Sequence, residues 1–262
     1  MTPLPAPPDR APDLDDDFAA GPAPALWVPH YLPHWTTSDR SAARFRTTAD
    51  GLELRIEADQ PDWRPEDAPM RVSNLQTGTF SGPVGSRRGT HRHREDSLVV
   101  RTETPTRLLW APAAGRVDLT VSASRDEGCM LAAWLVGTEH EANTPRDADG
   151  TSGEVCVVEI DATAIGAATT ARTGLKAHHD PDLTSDMAEV ELPFDVTRPH
   201  TWTAIWGAGE TVIGCGGTVL RRIPQSPRYP LFLMVDLFEI GPPAGSYPKT
   251  AVVHRVRGWS AQ

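Results

Sequence analysis

From Trp27 onward the apolar residues recur in short runs, many with a period of two. GLELRIEAD (51–59) sets Leu52, Leu54 and Ile56 against Glu53, Arg55 and Glu57, the alternation of a half-buried strand. SLVVRTE, GRVDLTVSAS, MLAAWLVG, GEVCVVEID, HTWTAIW, ETVIGCGGTVLRRI and YPLFLMVDLFEI also read as strands. TPT, APAAG, PRDADGTSG and IPQSPRYP break the chain between them. The 25 prolines spread between these runs disfavour long helices, and only a short helical piece over 38–44 is predicted. The pattern predicts an all-β protein, a single antiparallel β-sandwich over residues 25–262. Residues 1–24 are rich in Pro, Ala and Asp and poor in large apolar side chains. Such a segment buries too little surface to offset its ordering entropy, so a flexible tail is expected there.

One strand breaks the pattern. In SGEVCVVEID (152–161), strict alternation puts Glu154, Cys156, Val158 and Ile160 on one face. Val155, Val157, Glu159 and Asp161 then share the other, so both faces mix carboxylate with aliphatic side chains. One extra residue held as a β-bulge around 157–158 resolves this. Glu154, Cys156, Glu159 and Asp161 then point one way, while Val155, one of the valines and Ile160 point into the core. Two carboxyls on one face fit retaining glycoside hydrolysis, which needs a nucleophile and an acid roughly 5–5.5 Å apart. The same spacing also fits an exposed strand whose carboxylates sit in water.

GEVCVVE resembles the active-site strand of the family-16 glycoside hydrolases, the laminarinase and lichenase group, whose signature is Glu-x-Asp-x-x-Glu with such a bulge. The resemblance runs in order over residues 27–255. MLAAWLVG is similar to W-P-A-F-W-L, HTWTAIW to H-T-Y-x-x-x-W, and QSPRYPLFLMVDLFEI to P-x-Y-P-M-x-L-x-x-N-L. It implies a concanavalin A-like jelly roll of two antiparallel sheets with a carbohydrate cleft on the concave face. Carried over by position, Glu154 is the nucleophile, Glu159 the acid/base, and Trp134 an aromatic wall for a sugar ring. Trp206 belongs to the inner strand supporting the cleft, and Asp236 stands at the family's Asn. Three positions depart from the pattern. Cys156 replaces the motif Asp, Met130 replaces the first tryptophan of W-P-A-F-W-L, and Cys215-Gly216-Gly217 replaces an Asp-Gly hairpin. A thiol between two carboxylates is expected to stay neutral and to be a weak donor to Glu154.

Further residues are candidates for the cleft. In RTGLKAHHDPDL (172–183) alternation puts Lys176 and His178 on one face, where they could meet a sugar or the acid, with Leu175, Ala177 and His179 opposite. The alternative there is an ordinary surface turn. Asp236 interrupts an apolar run and must be paired or face a cavity. Trp35 is the best of the remaining tryptophans for a cleft rim, and Asn74 could line the cleft. The loop RRGTHRHRED (87–96) either caps the cleft or is solvated. His178, His179 and Asp180 lack a matched partner spacing for zinc, so no metal site is expected. No cofactor is expected, and no ligand cluster demands the structural calcium that some relatives carry.

The charge balance, 35 acidic against 25 basic residues, argues against nucleic acid and anionic membranes as partners of the surface as a whole. No apolar run reaches membrane-spanning length. Cys129, Cys156 and Cys215 are odd in number and far apart, the pattern of free thiols in a reducing compartment. The N-terminal stretch as given has no recognisable secretion signal, so a cytoplasmic location is expected, with secretion of a trimmed chain left open. The expected partner is a poly- or oligosaccharide, met by a monomer. The resemblance therefore implies a retaining glycoside hydrolase acting on a β-glucan or related β-glycan. A non-catalytic carbohydrate-binding protein on the same scaffold, motivated by Cys156 and Met130, and a transglycosylase remain as alternatives.

Overall fold

A computed structural model describes residues 2–94, 98–139 and 152–261. In chain order the strands are β1 (Leu14–Asp16), β2 (Arg44–Thr48), β3 (Gly51–Ile56), β4 (Met70–Gln76), β5 (Gly78–Thr79), β6 (Arg107–Leu108), β7 (Gly115–Ser122) and β8 (Cys129–Gly137). They continue as β9 (Glu154–Asp161), β10 (Thr169–Lys176), β11 (Asp186–Leu192), β12 (His200–Gly207), β13 (Glu210–Cys215), β14 (Thr218–Ile223), β15 (Leu231–Ile240) and β16 (Lys249–Ser260). One short helix, α1 (Ser38–Ser41), falls inside the predicted helical piece.

Two antiparallel sheets stack face to face. One orders its strands β14-β13-β12-β7-β16-β3-β2, with β1 added beside β16, and the other β11-β10-β9-β8-β15-β4. Alternation within β15 and β8 explains why both read as continuous apolar runs. Leu231, Leu233, Val235 and Leu237 of β15, with Leu131, Ala133 and Leu135 of β8, fill the core between the sheets. Phe232, Met234 and Phe238, with Met130, Ala132, Trp134 and Val136, lie on the opposite face, in a second apolar cluster with Tyr31, Leu32, Trp35, Trp63, Leu98 and Val100. The second face is thus partly roofed by loops, and a strand buried on both faces has no polar side to show.

Three expectations change. Residues 1–24 are not a loose tail, because β1 pairs with β16 and Leu14 and Phe18 are fully buried in the main core. SLVVRTE forms no strand over its described residues. Leu98 and Val100 are buried as loop anchors of the roof. Trp206 lies on β12 of the eight-stranded sheet and packs edge-on against Trp110, 6.0 Å between centroids, so it supports the core and not the cleft.

Candidate active site

The bulge organises the site. Along β8, Ala133 pairs with Val158 and Trp134 with Cys156, so Val157 has no partner of its own. Along β10, Arg172 pairs with Glu159 and Gly174 with Cys156. Thr173 Oγ1 donates to the Cys156 carbonyl at 2.9 Å and the Val157 carbonyl at 3.2 Å, which satisfies acceptors that the interrupted ladder would leave bare. Both valines enter the core, while Cys156 lies on the other face and Glu154, Glu159 and Asp161 make their contacts there. Gly174 permits this at φ +150, where a Cβ would lie 2.0 Å from the Asp186 carbonyl oxygen.

The two glutamates meet through Lys176, whose Nζ is 2.9 Å from Glu154 Oε1 and 2.6 Å from Glu159 Oε1. The first contact is an ion pair without hydrogen-bond alignment, since Glu154 Oε1 has no hydrogen-bond donor of its own. His178 Nε2 lies 2.9 Å from Glu154 Oε2. Trp134 Nε1 donates to Glu159 Oε1 at 3.0 Å, and Arg172 Nε to Glu159 Oε2 at 3.0 Å. Arg172 also reaches Asp161 at 2.5 Å. A carboxylate oxygen of Glu154, one of Glu159 and the Cys156 Sγ all lie within 4.8 Å of one another.

Burial pushes both carboxyls up, but their partners outweigh it. Lys176 and Arg172 hold Glu159 below the usual carboxylate range, and His178 with Lys176 does the same for Glu154. Lys176 loses solvent yet stays firmly protonated between the two charges. Burial and the neighbouring carboxylates drive the Cys156 thiol well above its ordinary value, keeping it neutral as expected. Its donation goes to the Arg172 carbonyl at 3.8 Å, not to Glu154 as expected. Asp236 is pushed strongly the other way, by burial and by the charge of Glu154, against the Asn74 hydrogen bond.

Of the residues singled out from the sequence, Glu154, Glu159, Cys156, Trp134, Lys176 and His178 come together. Asn74 and Asp236 bond to each other at 2.7 Å beneath the roof, both fully buried, so they line no open cleft. Trp35 is no rim residue: it is buried, and its Nε1 donates to the Thr90 carbonyl at 3.0 Å, pinning the 87–94 loop. Trp134 is almost buried, and the Lys176 ammonium stands 5.2 Å from its ring centroid, where a sugar wall was expected. His178 departs from the strand in a left-handed turn at φ 45. His179 bonds the Arg92 carbonyl and Asp180 accepts from Tyr229, so these two do not converge with it on a zinc site. The Arg-His loop is divided: Thr90, His91 and Arg92 are buried, Arg87, Arg88 and Arg94 are exposed, and Glu95 and Asp96 lie outside the described residues.

Two site residues went unrecognised in the sequence. Arg172 shares a face with Lys176 by plain alternation, so the signal was present. His91 packs 5.4 Å from the His178 ring across more than eighty residues of sequence, and no local pattern announces that.

The sequence matches no protein-family model and no curated protein. The fold does have solved counterparts. A GlcNAcα1-4Gal releasing endo-β-galactosidase from Clostridium perfringens superposes with TM-score 0.82 at 20% identity, over 97% of this chain and 65% of that one. This chain therefore spans just under two thirds of that relative's length. The laminarinase from Rhodothermus marinus gives 0.63 at 14% identity, covering 95% and 97%. A non-specific endo-β-1,3(4)-glucanase of family GH16 gives 0.58 at 16% identity, covering 99% and 98%. With its bulged strand on the second sheet, this chain has the jelly-roll fold of the family-16 glycoside hydrolases.

Proposed function

We propose that the chain is a retaining glycoside hydrolase acting on a β-linked glycan. The observation that carries this reading is the pair of bulge-sorted carboxylates, with oxygens of Glu154 and Glu159 within 4.8 Å on one face of the sheet. That spacing suits direct attack and leaves no room for the extra water of an inverting site. Glu154, ionised and oriented by His178, attacks the anomeric carbon as the glycosidic C–O bond breaks. Glu159 gives its proton to the leaving oxygen, then takes one from the water that releases the glycosyl-enzyme. Glu159 must first be protonated, which requires its Lys176 contact to loosen and confines turnover to acidic pH. The exposed part of the site, Arg172, Lys176 and Asp161, lies along β9 and β10, which is where a sugar chain would enter. The fold neighbours cleave β-galactosidic and β-glucosidic chains, so both bond types are candidate substrates. The test measures reducing-sugar release from a panel of β-glucans and β-galactosides, with Glu154→Gln and Glu159→Gln as controls. Loss in both variants supports the assignment. Equal release by wild type and variants, or none from any substrate, rejects it.

A non-catalytic glycan-binding role is the second reading. It is favoured by Cys156, whose thiol leaves Glu154 without the proton-sharing acid of the family motif, and by the Lys176 clamp on both carboxylates. It predicts calorimetric binding of oligosaccharides without turnover, and hydrolysis appearing in Cys156→Asp.

A further inference from the structure

The roof loop brings a second imidazole, that of His91, close to Glu154. We propose that His91, Glu154 and His178 form a divalent-cation site of zinc type, whose occupant seizes the carboxylate that would otherwise attack the sugar. One donor atom from each of the three lies within 4.8 Å of the other two. Ligands around a tetrahedral zinc with bonds near 2 Å stand about 3.3 Å apart, so side-chain rotations of about an ångström close the set. The Glu154–His178 edge is already 2.9 Å long. His91 is only 6% exposed, and its ring meets that of His178 edge to face at 5.4 Å.

The donor set selects the ion. Two imidazoles and one carboxylate suit zinc, cobalt or nickel, whereas magnesium and calcium prefer all-oxygen sites. Lys176 engages Oε1 of Glu154, which leaves Oε2 for the metal. On binding, the ion takes lone pairs from Oε2 and one nitrogen of each imidazole, and the proton held between His178 Nε2 and Oε2 leaves to solvent or to Nδ1. A fourth ligand would have to come from solvent. The nearby ammonium opposes the cation, so this is a site of moderate affinity, suited to reversible occupation. The consequence for catalysis, a blocked nucleophile, rests on the hydrolytic reading above. Metal binding itself does not.

The test titrates the full chain with cobalt(II) and zinc chloride, following calorimetry and the visible d–d bands of cobalt. The expected result is one ion per chain with the intense absorption of four-coordinate cobalt, displaced by zinc. His91→Ala and His178→Ala should each weaken binding by at least about tenfold, as losses around metal sites do. Lys176→Met removes the competing cation and should tighten binding, a gain that misfolding cannot imitate. Circular dichroism melts confirm that each variant is folded. Failure of wild type to bind one equivalent, or binding unchanged in both histidine variants, overturns the site. None of these readouts needs turnover, so they stand or fall apart from the glycosidase assay.

Discussion

Lys176 decides which protons the site can hold. It touches both glutamates, and with Arg172 it keeps Glu159 ionised against the pull of burial. An acid catalyst works only while protonated, so activity should fall as pH rises through the depressed Glu159 value, placing the alkaline limb of kcat/KM on the acidic side of neutrality. Lys176→Met leaves desolvation opposed by Arg172 and the Trp134 hydrogen bond, without the ammonium, so that limb should move to higher pH, read from a pH–rate profile. A limb that stays put would remove Lys176 from the proton balance. The linkage to stability has a definite sign. A carboxyl depressed in the folded state contributes stability above its unfolded value of about 4.3 and loses it as pH falls through the folded value. Lys176→Met should therefore also destabilise the chain near neutral pH, by about 2 kcal/mol, because Glu154 is left as a buried charge held by His178 alone. Denaturant unfolding at neutral pH measures that loss.

At the scale of elements, the bulge is what a reader of the sequence could infer, because only one register separates three acids from two valines. Its support is less visible. Thr173 carries the hydrogen bonds to the bulge carbonyls, and Gly174 clears the β11 backbone at a dihedral closed to other residues. Gly174→Ala would push a methyl onto the Asp186 carbonyl, so β10 must move. The expected outcome is a loss of at least about 2 kcal/mol together with loss of activity, since β10 carries both Arg172 and Lys176. Unfolding curves within 0.5 kcal/mol of wild type, a margin of about the usual surface scatter, would show that the bulge does not need this glycine. The roof was poorly legible for a different reason. SLVVRTE has strand-like composition, but Leu98 and Val100 are apolar because they plug the second cluster, and periodicity cannot tell a loop plug from a strand. Trp35 misled in the same way: a tryptophan near a cleft can be a platform or a peg, and only its bond to the Thr90 carbonyl decides.

Across the whole molecule, the N-terminal segment shows where composition alone fails. Its prolines and aspartates argue against a core of its own, and it has none. It borrows one, by laying β1 along β16 and setting Leu14 and Phe18 into the space between the sheets. The aspartates then serve local turns and anchors: Asp16 accepts from the Phe18 amide at 2.8 Å and from Trp27 Nε1 at 2.9 Å, tying the segment to the first core tryptophan. Arg255 closes the edge by bonding both oxygens of Asp15, at 3.0 and 2.9 Å. Burying a leucine and a phenylalanine is worth about 2 kcal/mol each, before the strand hydrogen bonds are counted. Deleting residues 1–19 should therefore cost at least about 4 kcal/mol, a large part of the stability of an ordinary domain. The loss should appear in both denaturant midpoint and melting temperature, while Lys176 and the glutamates, on the other sheet, keep their contacts in the fraction that remains folded. A truncated chain as stable as the full one would mean that this segment is the loose tail its composition predicts. A chain that cannot be recovered folded at all would place β1 among the elements on which the sandwich depends.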